Sequence, residues 1–196
     1  HIIDMGCSNT FSIFKMVKIA GGNPIVVNKK NDLIEAEKII LPGVGSFDRA
    51  ISSLHAMRII DLLSEKVLDA KVPLLGICLG MQILSKGSEE GDRKGLGFFN
   101  GYYKRFSFHD KNFNLKVPHM GWNSINKLRN NLLLSDPTPD TRYYFIHSYH
   151  FIADDQSNVV AETEYGYSFP SVIMKENIYG TQFHPEKSHR YGKELI

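Results

Sequence analysis

Leu74-Leu75-Gly76-Ile77-Cys78-Leu79-Gly80-Met81-Gln82 is the segment on which the reading of this 196-residue chain turns. Lys71-Val72-Pro73 leads into the apolar run, which predicts a buried strand bounded by a proline. Past Cys78, the residues Leu79, Ile83 and Leu84 recur at helical spacing. Cys78 therefore stands at a strand-to-helix corner with a glycine two residues away on each side. So tight a turn has no room for a Cβ at the flanking positions, and it pushes one side chain out to where a substrate can reach it. The helix start adds unpaired N–H groups and a positive dipole end, which favour a thiolate and an oxyanion. Taken alone, the pattern suits a buried core thiol between packing glycines equally well.

A second segment decides between these readings. Thr181-Gln182-Phe183-His184-Pro185-Glu186 follows an alternating, strand-like run and sets a histidine two residues from a carboxylate. A cysteine nucleophile needs a base for its proton and a group to orient that base. Alternate residues of a strand share a face, so His184 and Glu186 are expected to point together into one cleft.

Upstream, the chain predicts a strand ending at Ile2-Ile3-Asp4, then a helix over about 10–20. Ser8 or Asn9 can cap that helix, and Phe11, Phe14, Val17 and the Lys18 stem form its inner face. Gly21-Gly22 stops it. A strand at 24–27, a short helical piece at 32–36 and a strand at 38–41 complete a β-α-β-α-β rhythm. Pro42-Gly43-Val44-Gly45 then leaves the carboxyl end of the third strand, where open α/β sheets bind ligands. Its glycines let the backbone approach a substrate or present an N–H, although a plain connecting turn fits the spacing too. Apolar spacing predicts one helix over 46–70. After it, the Cys78 strand and helix form a fourth β-α step, with Gln82 on the same helical side as the cysteine.

Beyond Gly87 the character changes. Residues 88–95 read as a solvated polar connector. Short alternating strands are expected at 102–108, 114–118, 122–126, 143–151, 159–163, 171–175 and 178–183, with a hairpin at Glu176-Asn177 and a helical turn at 132–134. Tyr144, Ile146 and Ser148 should share one strand face. The expected fold is α/β: a single domain over 1–196, built on a mostly parallel, doubly wound sheet with an antiparallel β portion in the C-terminal half. The chain begins at His1 inside a strand, so a few terminal residues are expected to be missing.

Composition excludes several classes. A net charge of +2 with no dense Lys/Arg stripe gives no case for nucleic acid. No apolar run approaches the ~18–20 residues of a membrane span, and no signal peptide is in view. Two cysteines, Cys7 and Cys78, suggest no disulfide framework and suit a reduced, cytoplasmic setting. No histidine pairs with cysteine at zinc spacing. His147 and His150 are expected to face opposite ways on one strand, so no metal site is predicted.

Gly-Ile-Cys-Leu-Gly-Met-Gln with a later Gln-Phe-His-Pro-Glu resembles the triad (class I) glutamine amidotransferases. Within them, Pro42 to Phe47, Pro118 to Asn123 and Tyr144 to Tyr149 are similar to the glutaminase subunits of imidazole glycerol phosphate synthases. The five motifs run in the family's order over nearly the whole chain. The resemblance implies a Cys78–His184–Glu186 triad and no cofactor. It further implies oxyanion amides at Val44 and Leu79 beside Gly45, and glutamine contacts from Gln82 and Ser148. It also implies a heterodimer with a cyclase-type (β/α)-barrel synthase subunit, docked near Met120, Trp122, Tyr144 and Lys187. Ammonia would be channelled into histidine biosynthesis. Asp4-Met5-Gly6-Cys7-Ser8-Asn9 departs from the Asp-Tyr-Gly turn followed by Met or Val, Gly and Asn that is usual there. Two alternatives stay open at this stage: a paralogue supplying ammonia for amidation of a surface-polysaccharide sugar, and a stand-alone thiol amidase or γ-glutamyl hydrolase.

Overall fold

The computed structural model describes residues 1–6, 8–108 and 115–196. Cys7, and the Asn114 start of one expected strand, lie outside them. The N-terminal half follows the expected alternation: β1 (Ile2–Ile3), α1 (Thr10–Ile19), β2 (Val26–Val27), a 3-10 turn (Lys30–Leu33) and β3 (Ile39–Gly43). Asn9 caps α1 by accepting from the Ser12 N–H. The inner face of α1 is Thr10, Ile13 and Met16. Phe14 and Val17 are half-buried, whereas Phe11 is exposed, a shift of the apolar stripe by one position from the expected one.

The expected helix over 46–70 is broken. α2 (Phe47–Ala56) ends at Met57, Arg58 takes a left-handed φ of 54°, and α3 (Ile60–Ser64) continues into a π-helical turn, Glu65–Asp69. The break lets Ile59 turn inward with Leu54, Leu63 and Val67, all fully buried. β4 (Leu74–Cys78) and the short α4 (Leu79–Ile83) follow.

The C-terminal half contributes β5 (Gly101–Arg105), β6 (His119–Asn123), β7 (Asn126–Lys127), β8 (Tyr143–His147), β9 (Tyr149–Ala153), β10 (Val159–Glu164), β11 (Ser168–Lys175), β12 (Ile178–Thr181) and α5 (His189–Leu195). Residues 115–118 form no strand, and 132–134 form no helical turn. The single strand expected over 143–151 is two, interrupted at Ser148.

The main sheet runs β2-β1-β3-β4-β12-β11-β10-β7. Its first five strands are mutually parallel, and β11, β10 and β7 extend it antiparallel. The pairs β5-β9 and β6-β8 form two small antiparallel sheets. This is the expected α/β architecture with an antiparallel C-terminal portion. β4 is central and apolar on both faces: Leu74 joins a large core with Leu41, Leu54 and Phe99, while Ile77 packs with Ile2 and Ile13 on the other side. A further core, around Phe106, Phe145, Phe169 and Phe183, fills the antiparallel half. Among the described residues no helix is long and apolar enough to cross a membrane.

Candidate active site

Three parallel strands deliver their carboxyl ends to one place. Gly43 at the end of β3 is the register partner of Cys78 at the end of β4, and Thr181 on β12 pairs with Ile77. The loops that follow these strands therefore meet, as expected for ligand sites of open α/β sheets.

Cys78 sits at φ 53°, ψ −108°, a strained left-handed conformation for a residue with a side chain. The flanking glycines are there for space: a Cβ on Gly80 would overlap the Leu41 carbonyl oxygen, and one on Gly76 would press on the Gly80–Met81 backbone. The sulfur is 3.8 Å from the Ile146 carbonyl oxygen and 3.7 Å from the Gln182 side-chain amide, which donates toward it.

His184 and Glu186 meet, but not by strand alternation. β12 stops at Thr181, His184 precedes a 3-10 turn, Pro185–Lys187, and that turn carries Glu186 back onto the imidazole. Nδ1 lies 2.7 Å from Glu186 Oε1, with both side chains almost fully buried. Tyr144 holds the other flank, its carbonyl accepting from the His184 N–H at 2.9 Å. Burial opposes a charge on His184. The attraction of Cys78 and of the Glu186 carboxylate outweighs it, and the imidazole pKa is pushed up to about 10. The Cys78 contribution is charge attraction more than a formed bond, because among the described residues Nε2 finds no hydrogen-bond partner.

Cys78, His184, Val44, Gly45, Leu79, Gln82, Ser148 and Lys187 all border one cavity of about 400 Å³. Gly45 takes a φ of 99°, the backbone freedom its position calls for. Met120, Trp122 and Tyr144 stand outside. Met120 and Trp122 project from the same face of β6, 58% and 47% exposed. The strand expected over 122–126 lies instead at 119–123, and the indole is a surface group. It stacks on His189 at 5.4 Å and meets Tyr144 edge-on at 6.0 Å, while Lys187 lies over the Tyr144 ring. These aromatics form an open patch at the cavity mouth.

Two features were invisible in sequence. Glu90, assigned to a solvated connector, borders the cavity and accepts from the Phe47 N–H at 2.9 Å. Its carboxyl pKa is raised, first by burial and then by Asp48, against the lowering effect of that bond. His147 also borders the cavity. The break at Ser148 turns His147 and His150, expected on opposite faces, toward the same Phe106 ring, at 5.2 and 4.8 Å. His147 Nδ1 is 2.8 Å from the Tyr149 carbonyl and so carries the proton. Its Nε2 then accepts from His119 Nδ1 at 3.0 Å, and His119 Nε2 faces the Asn123 amide. Among the described residues no group of three or more His, Cys, Asp or Glu could hold a metal.

A cysteine on a strained corner, a histidine backed by a carboxylate and backbone amides from two glycine-rich segments can together form and break an acyl-thioester. The comparisons agree with that chemistry. The family model for class-I glutamine amidotransferases matches residues 1–196. The chain is 46% identical over its whole length, and over 95% of the relative's, to imidazole glycerol phosphate synthase subunit HisH 2 of Methanococcus maripaludis. It is 43% identical, covering all of this chain and 96% of the relative, to the HisH subunit of Leptospira borgpetersenii. Among solved structures, PurLQS from Thermotoga maritima superposes with a TM-score of 0.76 at 19% identity, covering 99% of this chain and 93% of that one, a likeness of fold. By the full-length family match and these relatives, the chain belongs to the class-I glutamine amidotransferase family and is a glutamine amidotransferase.

Proposed function

We propose that the chain is the glutaminase subunit of an imidazole glycerol phosphate synthase, with Cys78 as nucleophile, His184 as acid–base and Glu186 as the group that orients it. The observation that carries this reading is that Cys78 and His184 border one cavity beyond the carboxyl ends of β3, β4 and β12, with Glu186 hydrogen-bonded behind His184.

The Cys78 thiolate attacks the side-chain amide carbon of glutamine. The oxyanion is taken by the backbone N–H groups of Leu79 and of the Val44–Gly45 loop, each donor contributing roughly 10²–10³ in rate. His184, protonated at neutral pH, gives its proton to the departing nitrogen, and ammonia leaves. The neutral imidazole then deprotonates a water that attacks the thioester. Glutamate is released and the thiolate–imidazolium pair is restored. Gln82 and Ser148 offer polar contacts to the substrate backbone. Glu90, a carboxylate in the same wall, suits the cationic α-amino group.

Ammonia released into water is protonated and lost as a nucleophile, so the product has to pass directly to an acceptor site. The patch of Met120, Trp122, Tyr144 and Lys187 at the cavity mouth suits a cyclase-type (β/α)-barrel subunit docked there as a heterodimer. That subunit would use the ammonia to make imidazole glycerol phosphate and the aminoimidazole carboxamide ribotide. Glutamate release by the purified chain, alone and with such a barrel subunit plus its nucleotide ligand, tests the assignment. Stimulation by that ligand is expected. Full activity of the chain alone would favour an independent hydrolase. Silence with this partner, while Cys78 still takes a glutamine-analogue label, would favour another acceptor, such as a sugar.

A further inference from the structure

Residues 88–93 form a pinned turn. Ser88 is fully buried, and its hydroxyl accepts from the Glu90 N–H at 3.1 Å. Glu89 accepts from the Arg105 N–H at 2.8 Å. Two carboxylates are then exchanged between this turn and the start of α2. Glu90 Oε2 accepts from Phe47 N–H, across 43 residues of sequence. In the other direction, Asp48 Oδ2 accepts from Asp92 N–H at 3.1 Å and Asp48 Oδ1 from Arg93 N–H at 3.0 Å.

The exchange has a structural reason on each side. Ser46, the N-cap residue of α2, makes no side-chain cap bond, so the first amide of the helix is satisfied by Glu90 instead. Gly91 lies against the Asp48 carboxylate, and a Cβ there would overlap it. Asp48 works against the ionisation of Glu90, adding to the effect of burial. Its presence beside Glu90 is therefore an electrostatic cost, and what it supplies is geometry. The chain entering α2 is Val44-Gly45, the cavity wall on the side of the proposed oxyanion amides. The two carboxylates thus fix one cavity wall against another.

We propose that Asp48 is a positioning residue for substrate recognition: by clamping the 90–93 turn to the first turn of α2 it holds the Glu90 carboxylate in the cavity wall, and so sets the preference for an α-amino-acid amide over amides lacking the amino group. The proposal rests on the glutaminase reading above, in which Glu90 receives that amino group.

Alkylation of Cys78 by two probes tests it: 6-diazo-5-oxo-L-norleucine, which carries the α-amino acid, and iodoacetamide, which does not. Asp48→Ala should slow the first probe by about tenfold, the loss of a charge-assisted contact, and leave the second within about twofold. Gly91→Ala, which displaces the Asp48 carboxylate, should do the same. Glu90→Gln should lose at least as much, and Asp48→Ala on that background should lose nothing further. Backbone amide exchange at Asp92 and Arg93 should accelerate in Asp48→Ala. Equal slowing of both probes would make Asp48 merely structural and overturn the proposal. So would faster exchange with both alkylation rates unchanged, or additivity with Glu90→Gln. A wild-type chain that reacts with iodoacetamide but never with the amino-acid probe would instead overturn the glutaminase reading itself, and the role of Asp48 in recognition with it.

Discussion

His184 and His147 border the same cavity, 1% and 5% exposed, and at neutral pH they carry different charges. Burial disfavours an imidazolium in both. For His147 burial is the largest influence and its pKa falls to about 3. Neutral His119 and His150 beside it follow, each to about 4. The one hydrogen bond that would favour its charge, to Tyr149, does not compensate. For His184 the Cys78 and Glu186 charges reverse the outcome. One fold thus contains a charged pair set for chemistry and a neutral imidazole chain packed as core. What separates them is the presence of a carboxylate and a thiol within reach.

The comparison breaks most severely with Cys78→Ala. Glutamine hydrolysis should fall by on the order of 10⁵-fold or more, and the His184 pKa, read by NMR titration, should drop because the Cys78 attraction that raises it is gone. An unchanged His184 titration would mean that Glu186 alone holds the proton. Glu186→Gln should cost up to about 10⁴-fold in rate, with a second downward movement of the same titration. In the neutral cluster, Phe106→Ala removes the ring that His119, His147 and His150 surround, and should destabilise the chain by about 3–5 kcal/mol in urea unfolding. Water entering there should return the three histidines toward ordinary titration. Trp122→Ala acts on the surface only. It should weaken docking of the proposed barrel subunit by about 2 kcal/mol, measured calorimetrically.

The pH dependence of stability sharpens the same contrast, because the two histidine settings pull in opposite directions. His119, His147 and His150 are lowered in the fold, so between pH 6.5 and about 3–4 the unfolded chain binds more protons. Stability should fall as pH drops through that window, by up to about 1.4 kcal/mol per pH unit for each histidine. His184 is raised, so its contribution is full below 6.5 and is lost as pH rises from there through about 10. Urea midpoints between pH 4 and 9 should peak near neutrality. A midpoint that kept rising with pH would remove the high His184 value.

The parts of this site legible in sequence are those coded locally. The glycines around Cys78 announce a corner that has no room for a Cβ, and Gly80 packed on Leu41 is the reason. His-Pro-Glu reads as an oriented base, although the orientation comes from a 3-10 turn begun by Pro185 and not from strand alternation. The breaks were not legible. Nothing in the apolar spacing of 46–70 marks Arg58, whose left-handed turn is set by where Ile59 finds a pocket. Alternation runs unbroken through Ser148, yet β8 and β9 join different sheets there. Glu90 was illegible for the same reason. Its partner, the Phe47 amide, is a tertiary neighbour, and a run of polar residues carries no sign of what it will cap.

The strand order also sets a timetable. β4 occupies the centre of the main sheet, but one of its two neighbours, β12, is made a hundred residues later: Ile77 pairs with Thr181. During synthesis the Cys78 strand therefore waits, with one edge open, through the translation of every antiparallel strand. His184 and Glu186 arrive directly behind the strand that closes that edge. The same late event completes the sheet and brings the His184 imidazole to the Cys78 thiol, so a nascent chain caught before it holds a cysteine without its histidine.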